Sequence, residues 1–250
     1  MTVTAEPLGS ARVVRWEQAG KLNAWTRDTI EAIADAIEEA GADEAVRCVV
    51  VRGAGTEFSA GDDLHAAHEA TADDWSATIA AFQRVTRVTL AAPVPVLAAI
   101  DGVCIGGALE FACSCDLRIA TDRARFATPE VGIGLVATNA GTLLLPEVLG
   151  ETAARELLLT GELRDAQWAM RHHLVSEIVA AEQLDDRVAA LAARFDAVSR
   201  TAVARTKAML NARLGDLVAA AMEREERACV ELFAGPDARE ALQAFADRAR

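Results

Sequence analysis

Apolar runs of strand length alternate with amphipathic helical patterns over the first three quarters of the chain. Alternation of this kind is typical of α/β proteins. The clearest helical pattern places Ile30, Ile33 and Ile37 on one face, with acidic residues opposite. Runs rich in valine, isoleucine and alanine predict strands at residues 11–18, 45–55, 91–102 and 117–127. A further pattern, at 165–179, predicts a short helix followed by a strand.

Helices are predicted between these strands and throughout the last quarter of the chain. The internal helices are predicted at 23–43, 75–90 and 142–161. From about Asp185 onward every pattern is helical, with segments at 184–198, 200–212, 214–235 and 237–250. Two segments rich in turn-forming and polar residues, 56–70 and 128–141, predict loops.

Composition predicts a cytoplasmic protein that binds neither membranes nor nucleic acid. Of the 250 residues, 52% are hydrophobic, yet no run reaches the roughly 18 uncharged apolar residues of a membrane span. The first residues lack the charged start and apolar stretch of a signal peptide. A net charge of −13 disfavours nucleic acid, because that binding depends on neutralising phosphates. We expect no metal site, since the five cysteines are irregularly spaced and the four histidines form two local pairs.

The segment Cys104–Ala120 is apolar almost throughout but contains Glu110, three residues after a pair of glycines. Burying a carboxylate without a partner is costly, so this position needs an explanation. Two glycines ahead of a helix leave N–H groups uncovered at the positive end of its dipole, where a developing oxyanion would be stabilised. The alternative is structural: Gly106 and Gly107 permit tight packing, and Glu110 pairs with an arginine.

Two further segments indicate the same chemistry. The small-residue turn FSAGDDL, residues 58–64, follows a predicted strand and can direct a second backbone N–H outward. The segment FATPEVGIGL, residues 126–135, carries Glu130 in a turn. Two carboxylates beside one oxyanion site suit general acid–base catalysis, provided that their pKa values differ. Taken alone, the turn FSAGDDL is also compatible with an ordinary loop whose acidic residues are solvated.

In this order, the motifs resemble those of the crotonase superfamily, the enoyl-CoA hydratases and isomerases. The resemblance extends from about Lys21 to Phe245 and rests on seven segments. They are KLNAW, FSAGDDL, AAIDGVCIGGALEFACSCDLRIA, FATPEVGIGL, LLLTGELRDAQWA, HLVSEIV and FAGPDAREALQAF. It implies the crotonase (ClpP-like) α/β spiral of ββα units over residues 1–190. A helical region over 191–250 would then build trimers, so a homotrimer or homohexamer (a dimer of trimers) is expected.

The resemblance also implies an acyl-CoA site. Ala60 and Gly107 match the two residues whose backbone N–H groups form the family's oxyanion hole. Glu110 and Glu130 match the two glutamates of the hydratases, so Glu110 would handle the attacking water and Glu130 would deliver a proton to C2. Isomerases generally use one carboxylate, and the pair therefore favours addition of water across the C2=C3 bond of a 2-enoyl-CoA. No cofactor is implied beyond the coenzyme A of the substrate itself.

Residues that match the family's adenine and phosphate segments are the predicted coenzyme contacts. They are Lys21, Ala24, Ala60, Asp62, Leu64 and Phe233. Lys21 would act as a point charge for phosphate, and Phe233 would reach the coenzyme of a neighbouring subunit. Lys207, Arg248 and Arg250 are further phosphate candidates, with a solvated helix position as the alternative for Lys207.

The segment Ala137–Ala140 departs from the family pattern, which often has a proline and a glycine-rich turn there. Because this loop borders the acyl pocket, the departure leaves open other crotonase-type reactions, namely isomerisation, thioester hydrolysis and ring modification. A non-catalytic acyl-CoA-binding or RNA-binding relative is the remaining alternative. His65 stands where the family often has a lysine or arginine, which weakens one expected phosphate contact.

Overall fold

The computed structural model describes residues 2–248, with side chains over 2–247. The described strands are β1 (Thr2–Leu8), β2 (Ala11–Glu17), β3 (Cys48–Gly53), β4 (Val96–Ile100), β5 (Val103–Ile105), β6 (Leu117–Thr121), β7 (Arg125–Ala127), β8 (Arg164–Asp165) and β9 (Glu177–Val179). The described α-helices are α1 (Arg27–Ala42), α2 (Leu64–Glu69), α3 (Ala72–Ala91), α4 (Gly107–Ser114), α5 (Gly141–Leu149), α6 (Glu151–Thr160), α7 (Ala166–Arg171), α8 (Leu184–Ala193), α9 (Arg200–Ala212), α10 (Gly215–Phe233) and α11 (Pro236–Arg248). Arg250, a predicted phosphate contact, lies outside the described residues, and Arg248 is described by its backbone alone.

A six-stranded sheet in the order β1-β2-β3-β4-β6-β9 forms the centre of the fold. Its strands pair in parallel, except that β1 is antiparallel to β2 at one edge. Strands β2, β3, β4, β6 and β9 confirm the strands predicted in those regions. β1 was not predicted: most of its residues are exposed, and it carries Pro7, which an edge strand tolerates.

A smaller sheet of β5, β7 and β8 gives the fold its repeat. Twice the chain passes from the large sheet directly to the small one, from β4 to β5 and from β6 to β7, and then enters a helical segment. β3 leads to the same sheet, since Ser59 forms a parallel bridge with Cys104 of β5. These repeated strand–strand–helix turns are the spiral that the sequence predicts.

The predicted strand 117–127 is in fact two strands, β6 and β7, which belong to different sheets. The turn between them is held by Asp101, whose carboxylate accepts a bond of 2.7 Å from the Thr121 hydroxyl. The same carboxylate accepts a second bond of 2.7 Å from Nε of Arg123. The chain therefore changes sheets here although its apolar pattern continues.

Two other segments also differ from the prediction for local reasons. The helix predicted at 142–161 is divided into α5 and α6 by Gly150, whose φ of 79° ends one helix and begins the next. The loop predicted at 56–70 contains the short helix α2, because the Asp63 carboxylate accepts the backbone N–H of His65 and caps its first turn.

An aromatic cluster in the main core supports the turns that carry the predicted chemistry. Trp16 packs edge to face on Phe58, with ring centroids 4.9 Å apart, and its indole N–H donates to the Phe58 carbonyl at 2.7 Å. Trp25 packs in the same manner on Phe111, at 5.6 Å. Phe58 leads into the 59–62 turn and Phe111 follows Glu110, so the cluster fixes both segments by packing.

The C-terminal helices pack back onto the rest of the chain. α10 contacts α3 and α5, while α11 contacts α2 and the 3₁₀ turn Pro129–Ile133. The predicted boundary at residue 190 and the predicted assembly into trimers stay predictions. Among the helices of residues 2–248, none has the length and apolar character needed to cross a membrane.

Lys207 on α9 is part of the core, and its predicted role as a phosphate contact is wrong. Its ammonium group is ion-paired with Asp116 at 2.7 Å. It also donates to the carbonyls of Thr89, at 2.8 Å, and Val94, at 3.2 Å. These three bonds use all three N–H donors of the buried group, which leaves none for a ligand.

We predict that Lys207→Met lowers the free energy of unfolding by about 3 kcal/mol, because it leaves the Asp116 carboxylate and two carbonyls without their partner. Urea unfolding followed by circular dichroism measures the change. Arg205→Met, at an exposed position of the same helix, is the control and should change stability by no more than about 0.5 kcal/mol. Equal stability of the two variants would contradict a structural role for Lys207.

Candidate active site

Three turns meet at one edge of the small sheet, and they carry the residues singled out in the sequence. The N–H of Ser59 donates to the carbonyl of Val103 at 2.8 Å, and that of Ile105 donates back to Ser59 at 3.1 Å. The N–H of Gly106 then donates to the carbonyl of Ala127 at 2.9 Å, in line with the parallel pairing of β5 and β7. Parallel segments end at the same edge, so the residues that follow each of them come together.

The first two turns approach each other backbone to backbone. Gly61 has a φ of 85°, and a Cβ placed on it would lie 2.7 Å from the carbonyl oxygen of Ile105. The same Cβ would lie 3.4 Å from the nitrogen of Gly107. Only glycine fits this close approach, which brings the N–H groups of the two turns beside one spot.

Ala60 cannot act as the predicted oxyanion donor, because its N–H is already used. It donates to the carbonyl of Leu22 at 2.9 Å, and the next N–H, of Gly61, donates to the Ser59 hydroxyl at 3.0 Å. Within residues 2–248, the N–H groups of Asp62 and Gly107 have no hydrogen-bond acceptor. Both residues line the same cavity, so the donor in this turn lies two residues after the predicted one.

Glu110 lies on α4, one turn after Gly107, and is only 1% exposed. Its Oε2 accepts the backbone N–H groups of Thr138, at 3.2 Å, and Asn139, at 2.9 Å. Burial, reinforced by the nearby charges of Glu130 and Glu225, holds its pKa well above the usual range, and the two N–H bonds oppose that shift. Glu110 is therefore satisfied by backbone donors, and it pairs with no arginine among the side chains of residues 2–247.

Glu130 faces Glu110 across the cavity. It lies in the 3₁₀ turn Pro129–Ile133, and its Oε1 would lie 3.0 Å from a Cβ placed on Gly106. Burial raises the pKa of this carboxyl as well. Two carboxyl groups in one low-dielectric cavity titrate together, and the pair holds a single proton when one member is ionised.

The cavity between these groups has a volume of about 90 Å³. Its walls are largely apolar, and they include the polar groups described above. The apolar lining comes from Leu64, Trp75, Ile79, Phe82, Ile105, Ile133, Leu135 and Val136. The arrangement would bind an apolar group and present its reacting end to two N–H donors and two carboxyls.

The structure adds a third buried carboxylate that the sequence did not reveal as part of the site. Glu225 of α10 is 4% exposed and accepts the N–H groups of Ala140, at 2.7 Å, and Thr142, at 2.8 Å. A signal was present, since Glu225 occupies the apolar face of α10 between the buried residues Met222 and Cys229. It is the same anomaly that drew attention to Glu110.

The predicted coenzyme residues near the first turn lie together. Lys21 is partly exposed and forms an ion pair of 2.7 Å with Asp63, which links it to the turn that carries Asp62. The N–H of Ala24 donates to the carbonyl of Lys21 at 2.9 Å, so it serves to fold this loop. Leu64 contributes to the cavity wall. The contacts of these residues with a coenzyme stay predictions.

Phe233 lies at the end of α10 and packs against α3. Its ring stacks on Trp75 of the same chain, with centroids 4.8 Å apart and an angle of 7° between the planes. It is buried together with Ile79 and Leu135 in a small apolar cluster. Phe233 therefore supports Trp75, which lines the cavity, and its predicted contact with the coenzyme of a neighbouring subunit stays a prediction.

Asp62 also has an unusual side chain. Its Oδ2 atom is buried and lacks a hydrogen-bond partner in the part of the chain that the structure describes. Burial, with a smaller contribution from the charge of Asp63, raises the pKa of this carboxyl to about 7.

As for metals, the described residues contain no group of three or more histidines, cysteines or acids that could hold an ion.

This chain is similar to known proteins over nearly its whole length. The model of the family described as enoyl-CoA hydratase/isomerase matches residues 10–250. A crotonyl-CoA hydratase of Syntrophomonas wolfei is 34% identical over 228 residues, which cover 91% of this chain and 88% of that protein. A short-chain-enoyl-CoA hydratase of Clostridium acetobutylicum is 31% identical over 247 residues, or 98% of this chain and 95% of that one.

The fold is shared with solved structures. The crystal structure of an enoyl-CoA hydratase from Mycobacterium avium subsp. paratuberculosis has a TM-score of 0.89 and 28% sequence identity to this chain. The match covers 98% of this chain and 96% of the other. Nearly the whole chain therefore takes part in the similarity.

We predict that Asp62→Asn stabilises the protein increasingly as the pH rises. The folded-state pKa of about 7 lies above the ordinary 3.8, so the wild type loses stability as the pH rises through this interval, whereas asparagine cannot ionise. Urea unfolding at about pH 5 and about pH 8 measures the difference. Asp73→Asn, at an exposed position, is the control. A difference between Asp62→Asn and the wild type that does not change with pH would contradict the raised pKa.

Proposed function

This chain belongs to the enoyl-CoA hydratase/isomerase family, within the crotonase superfamily, and we propose that it adds water across the C2=C3 bond of a short 2-enoyl-CoA. The observation that carries the proposal is the shared cavity of Glu110 and Glu130, with the N–H groups of Asp62 and Gly107 at its edge. Each part of this arrangement has a task in hydration.

The two N–H groups supply the electron sink. Water attacks C3 only if the electrons of the double bond can move towards the thioester carbonyl, whose oxygen becomes negative. Asp62 and Gly107 would donate to that oxygen, and Gly107 does so from the first turn of α4, where the helix dipole adds to the stabilisation. Because the thioester itself accepts the charge, the proposed reaction needs no redox cofactor or metal.

The two carboxyls would transfer the protons. The N–H bonds from Thr138 and Asn139 favour the ionised form of Glu110 and offset part of the larger effect of burial, which raises its pKa. In its ionised form Glu110 would accept a proton as the water oxygen bonds to C3. Glu130, which lacks these donors, would hold the shared proton and give it to C2. One water is thereby added, and a proton shift from Glu110 to Glu130 restores the starting state.

The small cavity supports a short acyl group. Its volume of about 90 Å³ is several times the roughly 10–15 Å³ that one water needs. A four-carbon enoyl group and the attacking water fit this space. The names of the two relatives, a crotonyl-CoA hydratase and a short-chain-enoyl-CoA hydratase, agree with this choice.

The altered segment Ala137–Ala140 is no obstacle to hydration, although its sequence suggested other crotonase-type reactions. Its contribution to Glu110 comes from the backbone N–H groups of Thr138 and Asn139, which any residue but proline provides.

Assembly into trimers belongs to the same proposal. It is supported by large apolar side chains exposed on the described surface, such as Leu159, Met209 and Leu210. A cytoplasmic location stays a prediction from composition.

We predict that the wild type hydrates crotonyl-CoA and that Glu110→Gln and Glu130→Gln each lower kcat by about 100- to 10,000-fold, because each removes one proton-transfer group. Loss of the enoyl-thioester absorbance, with identification of 3-hydroxybutyryl-CoA, measures the reaction. Longer and cyclic enoyl-CoA esters serve as a comparison panel. Binding of saturated butyryl-CoA without hydration of any ester would reject the proposed function and direct the search to isomerase, hydrolase and ring chemistry.

We predict that Gly141→Ala lowers kcat by about 100-fold, because an added Cβ would overlap Oε2 of Glu110 and displace the carboxylate. The backbone of Gly141 is helical, so alanine itself is tolerated there. Gly132→Ala is the matched control, since a Cβ on Gly132 meets nothing within 4 Å. Steady-state kinetics compare the two variants, and equal rates would argue against the position assigned to Glu110.

A further inference from the structure

Glu225 lies on α10, in the C-terminal helical region, but its side chain binds a loop in the middle of the chain. Its two carboxylate oxygens accept three donors, the N–H of Ala140 and both the N–H and the hydroxyl of Thr142. The side chain is buried, and burial raises its pKa, while these donors favour the ionised form. A buried carboxylate with this many donors is held in one orientation, and the same hydrogen bonds fix the loop groups that donate to it.

The loop that Glu225 binds is the one that binds Glu110. Thr138 and Asn139 direct their N–H groups to Oε2 of Glu110, and Ala140 directs the next N–H the opposite way, to Oε2 of Glu225. Three consecutive N–H groups thus join two carboxylates that lie 115 positions apart in the chain (110 and 225). A shift of the loop relative to Glu225 would move the two donors of Glu110 with it.

The conformation of this loop needs an external partner. Ala140 is fully buried and has a φ of 61°, in the left-handed region that a Cβ disfavours. Helix α3 binds the two residues before Ala140. Gln83 donates to the carbonyl of Thr138 at 3.3 Å, and the Thr86 hydroxyl donates to the side chain of Asn139. Among the described residues, Glu225 alone binds the backbone N–H of the strained residue.

We propose that Glu225 is a positioning residue that sets the place of the Glu110 carboxylate through the loop 138–142. The proposal rests on the proposed function, because it concerns the carboxylate that handles the attacking water. Glu225 touches neither the substrate nor the reacting atoms, and it does not line the cavity. It acts on the chemical step through Glu110 and leaves the groups that hold the thioester oxygen unchanged.

Glu225→Gln tests this role, because it keeps the size of the side chain but replaces one acceptor oxygen with an NH₂ group that faces an N–H or O–H donor. The control is Glu223→Gln on the same helix, whose side chain is exposed and paired only with Arg227 in the described structure. We expect Glu225→Gln to lower kcat by about 10- to 100-fold. We expect its Kd for butyryl-CoA, which cannot be hydrated, to stay within about twofold of the wild type. Loss of binding in proportion to kcat would overturn the proposal.

A double-mutant comparison separates action through Glu110 from general damage. In a Glu110→Gln background, Glu225→Gln should cause no further loss beyond about twofold, because the group that it positions has already been removed. A further loss as large as that seen in the wild-type background would mean that Glu225 acts independently of Glu110.

Hydrogen exchange provides a readout that does not depend on the reaction. Peptides that contain residues 138–142 should exchange faster in Glu225→Gln than in the wild type or in Glu223→Gln, while peptides from β3 and β4 should be unchanged. If Glu225→Gln does not fold, Thr142→Val removes one of the three donors at nearly constant shape, and a smaller change of the same kind is expected. Unchanged exchange in this loop would overturn the proposal. Absence of hydration by the wild type would instead reject the proposed function and leave the exchange result to be judged separately.

Discussion

The parallel pairing of Ser59, β5 and β7 is the constraint on which the rest of the site depends. Each of these segments is only one to three residues long, yet their hydrogen bonds fix three turns at one edge. The large sheet and the aromatic cluster at Trp16 hold the segments from behind. Because the turns meet backbone to backbone at Gly61, two backbone N–H groups remain available beside one spot. The donors do not depend on the side chains of the residues that carry them, but the close approach does depend on glycine at position 61.

Buried carboxyl groups set the electrostatics of this region. Glu110 and Glu225 obtain their stabilisation from backbone N–H groups of one loop, and no cation within the described residues pairs with either of them. Backbone donors compensate part of the cost of burial without neutralising the charge, so the pKa values stay raised. An arginine in the same place would hold Glu110 permanently ionised and would remove its ability to exchange a proton near neutral pH. The absence of such a partner suits a group that must both accept and release a proton.

Most of the fold and part of the site could be predicted from the sequence, and the failures have physical causes. Glu110 was found because a charge in an apolar run is anomalous, and the central strands because their apolar runs are long. The free N–H of the first turn was placed at Ala60, two residues too early, since only the fold shows that the carbonyl of Leu22 uses that donor. Glu225 carried the same kind of anomaly, a charge on the apolar face of α10, but its partners lie more than eighty positions away and only the fold shows that it reaches the site. The division of 117–127 into two strands was also missed, because the turn between them depends on hydrogen bonds to Asp101 that the apolar pattern does not indicate.

The position of Glu225 so late in the chain has a consequence for the making of the protein. A ribosome completes Glu110 and the loop 138–142 well before α10 has been synthesised, since translation proceeds from the N terminus. During that interval the N–H groups of Ala140 and Thr142 have no carboxylate to bind. A nascent chain with its sheets already formed would thus still carry an unfinished reaction centre. On the role proposed for Glu225, the Glu110 carboxylate is held in its working position only after the C-terminal helices have docked.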